Sequence, residues 1–395
     1  MVYLQELVKQ KGKNVLKKEQ QAWITRLKGM PHKTPFMVTD LAIVHENAKV
    51  ITEALPRVGI YYAIKSNSDE RIIETIDPIV AGYDIASLGE YKHLKNLGVA
   101  SERMLYSNPV KIPEHIQKTY EGGVRHFAFD SMDEISKLST YAPGSEVYLR
   151  IKVSDYGSRF PLSKKFGVDP LHAVAYMDMA AEKGLKPTGL AFHVGSQSEN
   201  PHSWAVAFET CGEIIKKLSA VGIDISFINI GGGFPASYTE RINSLKQIAD
   251  IINKSITKHI PDHVKIVAEP GRFISATSSV IVTSVIGRET RGSSDWLFID
   301  MGVFQGLLEP LEIDSWRYPI FTNYGKKAAA FSKSFVLTGP TCDAYDTLGL
   351  DYELPSNLKM GDRLYIGSAG AYTKVYASNF NGFSPPKTYY LENQK

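Results

Sequence analysis

Several apolar runs in this chain end on residues able to do chemistry. Lys65 ends YYAIKSN. A lysine at the end of a buried strand is partly desolvated, which favours the neutral amine that attacks a carbonyl. Taken alone it reads more simply as an ordinary surface lysine. Gly231, Gly232 and Gly233 follow INI in INIGGGFP. Consecutive glycines let backbone N–H groups approach an anion such as phosphate; a tight turn is the equal alternative. AEPGRF brings Glu269, Gly271 and Arg272 to another strand end. Glu269 can face inward while Gly271 and Arg272 approach a phosphate. A carboxylate beside a pyridine nitrogen keeps a proton there and strengthens the ring as an electron sink, whereas a structural Glu–Arg pair would need no ligand.

His193 and Ser196 lie in AFHVGSQS. An imidazole can stack on a flat ring and a serine can bond a phosphate, although a lone strand histidine is more often a core residue. GPTCDAYD carries Cys342 and Asp343. A thiol there can protonate a carbanion, and Asp343 can pair with an ammonium; by itself the cysteine reads as buried and inert. Tyr372, in SAGAYT, offers a hydroxyl to phosphate or simply packs in a sheet.

The elements that must position these residues change character along the chain. From about Asp40 to about Ser275, runs such as GIYYAIK, HFAFD, EVYLRIKV, GLAFHVGS, FINIGG and KIVAEPG alternate with helical stretches such as SLGEYKHLKNLGV and AVAYMDMAAEKGL. This alternation predicts parallel strands with crossover helices, in a number suited to a (β/α)8 barrel, whose chemistry sits at the C-terminal strand ends. Beyond Ser275, TSSVIVTSVIGRET, DWLFIDMGV, FVLTGPTCD and DRLYIGSAGAYT predict strands joined by short turns, an antiparallel β-domain. The expected division is 1–40 as a helical extension and first strand of the β-domain, 41–275 as the barrel, and 276–395 as the β-domain.

With 395 residues, 43% apolar and 22% charged, the chain has material for a real core. A net charge of +3 is too small to argue for nucleic acid. Two cysteines make a disulfide framework unlikely and fit a reducing, cytoplasmic setting. No apolar run approaches the roughly 20 residues that span a bilayer. The Lys-rich N-terminus lacks an apolar signal-peptide region and reads as helical and solvated, or lying against a partner. No metal site is expected.

In their order, YYAIKSN, FHVGSQ, INIGGGFP, AEPGRF, GPTCDAYD and GAYT resemble the fold-type III decarboxylases that use pyridoxal 5′-phosphate (PLP), in the ornithine/lysine decarboxylase branch. The similarity runs from about Pro35 to about Phe383 and includes SNFNGF. It implies an α/β barrel followed by a β-domain, an alanine racemase-like fold, assembled as a head-to-tail homodimer with shared active sites. Lys65 matches the Schiff-base lysine and Asp84 an aspartate beside it, with Ala86 and Ser87 nearby. Arg150 matches a pocket-wall arginine and His193 the ring-stacking histidine. Ser196, Gly232, Gly233, Gly271, Arg272 and Tyr372 match the phosphate cradle, and Glu269 the partner of the pyridine nitrogen. Cys342, as proton donor, and Asp343 match a pair that enters the neighbour's site. Lys165 matches a lysine of dimer contacts. The implied reaction turns a basic L-amino acid such as ornithine or lysine into its amine and carbon dioxide.

The stretch GVFQGLLEPLEIDSWRYPI departs from the Tyr-Asp pair usual in ornithine enzymes. Glu309, Glu312 and Asp314 are each candidates for a distal ammonium, and Arg317 for a distal carboxylate. A carboxylated or conjugated diamino acid, as in diaminopimelate decarboxylation, therefore stays open. A racemase would want a second base where CDAYD stands. A non-catalytic regulatory homologue would have lost the catalytic groups that are present here.

Overall fold

The computed structural model describes residues 18–240, 242–324 and 331–391. The expectation for residues 1–17 lies outside these. Residues 18–27 are helical, but not solvated throughout. Trp23 and Leu27 are buried against Phe36, Val38, Val280 and Tyr365, because their spacing of four puts both on one helix face.

Two compact units are present. One comprises the described residues up to Val44, Ala236–Ile242 and those from Ile274 onward; the other comprises His45–Pro235 and Asn243–Phe273. The return of Ala236–Ile242 to the first unit has no counterpart in the division expected from sequence. Among the described residues no helix is long and apolar enough to cross a membrane.

The first strand of the first unit is β1 (Phe36–Asp40), and the barrel unit follows in the chain. Its strands are β2 (Val58–Ala63), β3 (Gly82–Ile85), β4 (Met104–Tyr106), β5 (His126–Phe129) and β6 (Glu146–Arg150). A short β7 (Ser158–Phe160) stands outside the barrel and pairs with β9 (Ser196–Ser198). Then come β8 (Lys186–Ala191), β10 (Phe227–Asn229) and β11 (Lys265–Ala268). Among the described residues, β10, β11, β2, β3, β4, β5, β6 and β8 close a barrel in that order. Each pair is parallel. Inward residues Tyr61, Leu105, Ala128, Tyr148, Ala191, Phe227 and Val267 fill one cluster. Strands covered on both faces need continuous apolar runs, as in VGIYYA. GYDI and MLY are barrel strands too short to stand out in the sequence.

In the other unit follow β12 (Ser279–Arg291), β13 (Ser294–Ile299), β14 (Ile320–Thr322), β15 (Ser332–Thr338), β16 (Thr347–Pro355), β17 (Arg363–Ile366) and β18 (Lys387–Leu391). They run in the order β14-β17-β12-β13-β15-β16, with β1 joining β12 to β18. Most pairs are antiparallel, as expected, but β1–β18 and β13–β15 are parallel.

Candidate active site

Parallel strands deliver their C-terminal ends to one mouth of the barrel. Ala63 of β2 lies opposite Asp84 of β3. Two residues on, Lys65 sits in a 3-10 turn, Ile64–Ser66. Its Nζ donates to Asp84 Oδ2 at 2.5 Å. Asp84 is buried, while the lysine side chain is 44% exposed. The sequence expectation of partial desolvation thus meets an accessible amine beside a buried counter-charge. Asp84 Oδ1 is buried without a hydrogen-bond partner among the described residues.

Glu269 follows β11 and is also buried. Its Oε1 accepts hydrogen bonds from Ser107 Oγ and Asn229 Nδ2. Burial, then the negative charge of Asp84, pushes its carboxyl up to about 7, while Lys65 and these two donors pull the other way. Arg150 ends β6, with its guanidinium 4.9 Å from the Phe166 ring centroid. His193 is half-buried, and its Nδ1 accepts from Gly195 N at 3.0 Å. That bond leaves the proton on Nε2. Burial, then the charges of Arg150 and Lys65, holds the ring well below the usual histidine range, so it is neutral at physiological pH. Glu269, Arg150, His193, Asn229, Tyr148 and Ser107 line one cavity.

On the same unit, Arg272 Nε donates to Ser196 Oγ at 3.2 Å, joining two of the expected phosphate residues. Gly231 and Gly233 have φ of 64° and 96°. A Cβ on Gly231 would stand 2.5 Å from Phe192 O, and one on Gly233 would stand 2.4 Å from Gly195 O. The turn alone therefore demands glycine at both positions. Gly232 would meet Glu269 O at 2.6 Å, and Gly271 would meet Ser66 at 2.8 Å.

The remaining expected residues belong to the β unit. Tyr372 is half-buried, with φ of 53°. Cys342 is exposed, not buried as its composition alone suggested, and its Sγ lies 3.5 Å from Asn381 Oδ1 in SNFNGF. A chain turning outward between β15 and β16 carries it there. Asp343 is half-buried and accepts from Tyr345 N at 2.8 Å. Glu309 is buried and accepts from Tyr318 OH at 3.2 Å, whereas Glu312 and Asp314 are exposed. Arg317 donates to Asp351 Oδ1 at 2.6 Å.

Sequence reasoning missed Ser107, Tyr148, Asn229 and Glu90. Asn229 stands two residues before the first of the three glycines, and Tyr148 is an inward position two before Arg150, so strand alternation could have found both. Glu90 accepts from Ala86 N at 2.6 Å. Its carboxyl is raised to about 7, chiefly by burial and further by Asp84.

With this geometry in place, residues 41–276 match the model of the pyridoxal-binding domain of pyridoxal-dependent decarboxylases. The chain belongs to that family. The decarboxylase is 35% identical to the lysine/ornithine decarboxylase of Selenomonas ruminantium over 91% of its own length and 90% of the relative's. It superposes on the lysine/ornithine decarboxylase of Vibrio vulnificus complexed with cadaverine with a TM-score of 0.85, at 30% identity, covering 95% and 99% of the two chains. The arginine decarboxylase of Paramecium bursaria Chlorella virus bound to agmatine gives 0.86 at 31% identity, covering 94% and 100%.

The cofactor of the decarboxylase is PLP. The residues present fit it. Asp84 holds an accessible primary amine, and its second oxygen is buried and unbonded. A buried carboxylate, a neutral imidazole and an arginine line one cavity, and a serine–arginine pair is available for an anion.

Proposed function

We propose that the substrate is a free diamino acid, ornithine or lysine, PLP-dependent decarboxylation of a basic amino acid being the activity of the family to which the chain belongs. The observation that carries the site assignment is the buried Glu269 carboxylate at the same barrel mouth as the Lys65–Asp84 pair.

Bound PLP supplies a conjugated electron sink for the electron pair left when carbon dioxide departs. Lys65 is the amine that holds the cofactor, and Asp84 orients that amine and balances its charge. Glu269 maintains a proton on the ring nitrogen. His193, neutral and fixed by Gly195, offers a flat face for stacking. Ser196, Arg272, the backbone of Gly232, Gly233 and Gly271, and Tyr372 hold the phosphate. Cys342 delivers the proton to Cα, an accessible thiol being able to do so. Asp343 binds the distal ammonium, with Glu309, Glu312 or Asp314 as further acceptors. Cys342 and Asp343 act in the site of a second copy, in a cytoplasmic homodimer.

The engagement of Arg317 by Asp351 supports a diamino acid over a substrate with a distal carboxylate. Carbon dioxide release by the PLP-loaded protein tests this with ornithine, lysine, arginine, 2,3-diaminopropionate, 2,4-diaminobutyrate and diaminopimelate. Release from ornithine or lysine is expected. Release from diaminopimelate alone would reverse the substrate assignment, and release from none would point to a conjugated substrate.

A further inference from the structure

Glu269 is the last member of a directed chain of hydrogen bonds. Ser107 has one hydroxyl hydrogen and donates it to Glu269 Oε1. The 2.7 Å contact between Ser107 Oγ and Tyr148 OH must therefore use the hydrogen of Tyr148. Tyr148 donates to Ser107, and Ser107 donates to Glu269. Asn229 adds a second donor: Gly231 N donates to its Oδ1 at 2.9 Å, which turns the NH2 group toward Glu269. Tyr148 and Asn229 are buried and Ser107 half-buried, so water competes little for these bonds.

The donors act on one side of a balance. Burial and the charge of Asp84 favour neutral Glu269. The charges of Lys65 and Arg150 and the two hydrogen bonds favour the carboxylate. A hydroxyl that itself accepts a hydrogen bond is the more strongly polarised donor, and bonds to an ionised acceptor are the stronger class.

We propose that Tyr148 and Ser107 are positioning residues that hold Glu269 as the carboxylate and thereby leave the shared proton on the cofactor ring nitrogen. This rests on the reading of Glu269 given above. Without the Ser107 bond, the neutral acid gains and the proton moves toward Glu269.

The test uses the full chain loaded with PLP labelled with 15N in the ring, whose chemical shift reports protonation of that nitrogen. Circular dichroism confirms folding of each variant. Ser107→Ala is expected to shift the proton equilibrium away from the ring by about tenfold, the worth of one hydrogen bond to a charged group. Tyr148→Phe should move it the same way by less. The double variant should match Ser107→Ala, because Tyr148 acts through Ser107. Ser107→Thr, which keeps the hydroxyl, should restore the signal. An unchanged shift in Ser107→Ala, or an undiminished effect of Tyr148→Phe in its background, overturns the relay. Glu269→Gln separates the two claims. If it moves the signal while Ser107→Ala does not, only the relay fails. If it too leaves the signal unchanged, the reading of Glu269 fails.

Discussion

Lys65 Nζ and Asp84 Oδ2 lie 2.5 Å apart, joining a half-exposed amine to a carboxylate that water does not reach. The pair arises from strand register. Ala63 and Asp84 are partners in a parallel ladder, and the turn after β2 carries the lysine to its neighbour. Lys65→Ala should abolish turnover and also leave Asp84 buried without its counter-charge. Exposure of the lysine tempers that second cost to roughly 1–2 kcal/mol. Adding Asp84→Asn should recover much of the lost stability and none of the activity. Thermal and denaturant unfolding of the two variants checks the first outcome; turnover assays check the second.

Glu90 predicts a pH dependence. Its folded carboxyl is raised to about 7 from an ordinary 4.5. Between these values the folded state binds the proton more tightly than the unfolded state, so its contribution is fully present below pH 4.5 and is lost as pH rises through about 7. Glu90→Gln should therefore flatten the decline in unfolding free energy over that window, gaining on the order of 2–3 kcal/mol relative to the parent by pH 8. Denaturant titrations at pH 5 and pH 8 read this directly. A parallel decline in both proteins would deny Glu90 the effect.

Cys342 is accessible at the surface of its own chain. Cys342→Ala should divert product from amine to aldehyde, because misdirected protonation gives transamination; amine-only product would remove the thiol from the proton-donor role. Mixing Lys65→Ala and Cys342→Ala variants should restore about a quarter of wild-type amine formation if each site draws on two subunits. Half of the dimers are then mixed, and each mixed dimer has one intact site. No recovery under demonstrated subunit exchange would contradict a shared site.

Much of the barrel was legible because its strands are apolar runs ending on polar residues: GIYYAIK, FINIGG and KIVAEPG match β2, β10 and β11. GYDI and MLY were not, being four and three residues long. The closing of the β sheet through β1 and β18 pairs segments from the two ends of the chain, a contact no local pattern carries. In the site, Lys65, Asp84, His193 and Glu269 stood in recognisable motifs. Ser107 and Tyr148 did not, since a serine after a short strand and an inward tyrosine acquire meaning only when the closed barrel brings them to Glu269. The reach of Glu309 to Tyr318 was hidden in the same way.

Reduction of the PLP-loaded protein with borohydride, followed by peptide mass mapping, reads where the cofactor is held. The cofactor mass is predicted on the peptide containing Lys65, and its loss in Lys65→Ala is predicted with it. Cofactor fixed to a different lysine in the wild-type protein would contradict the assignment of this barrel mouth as the active site.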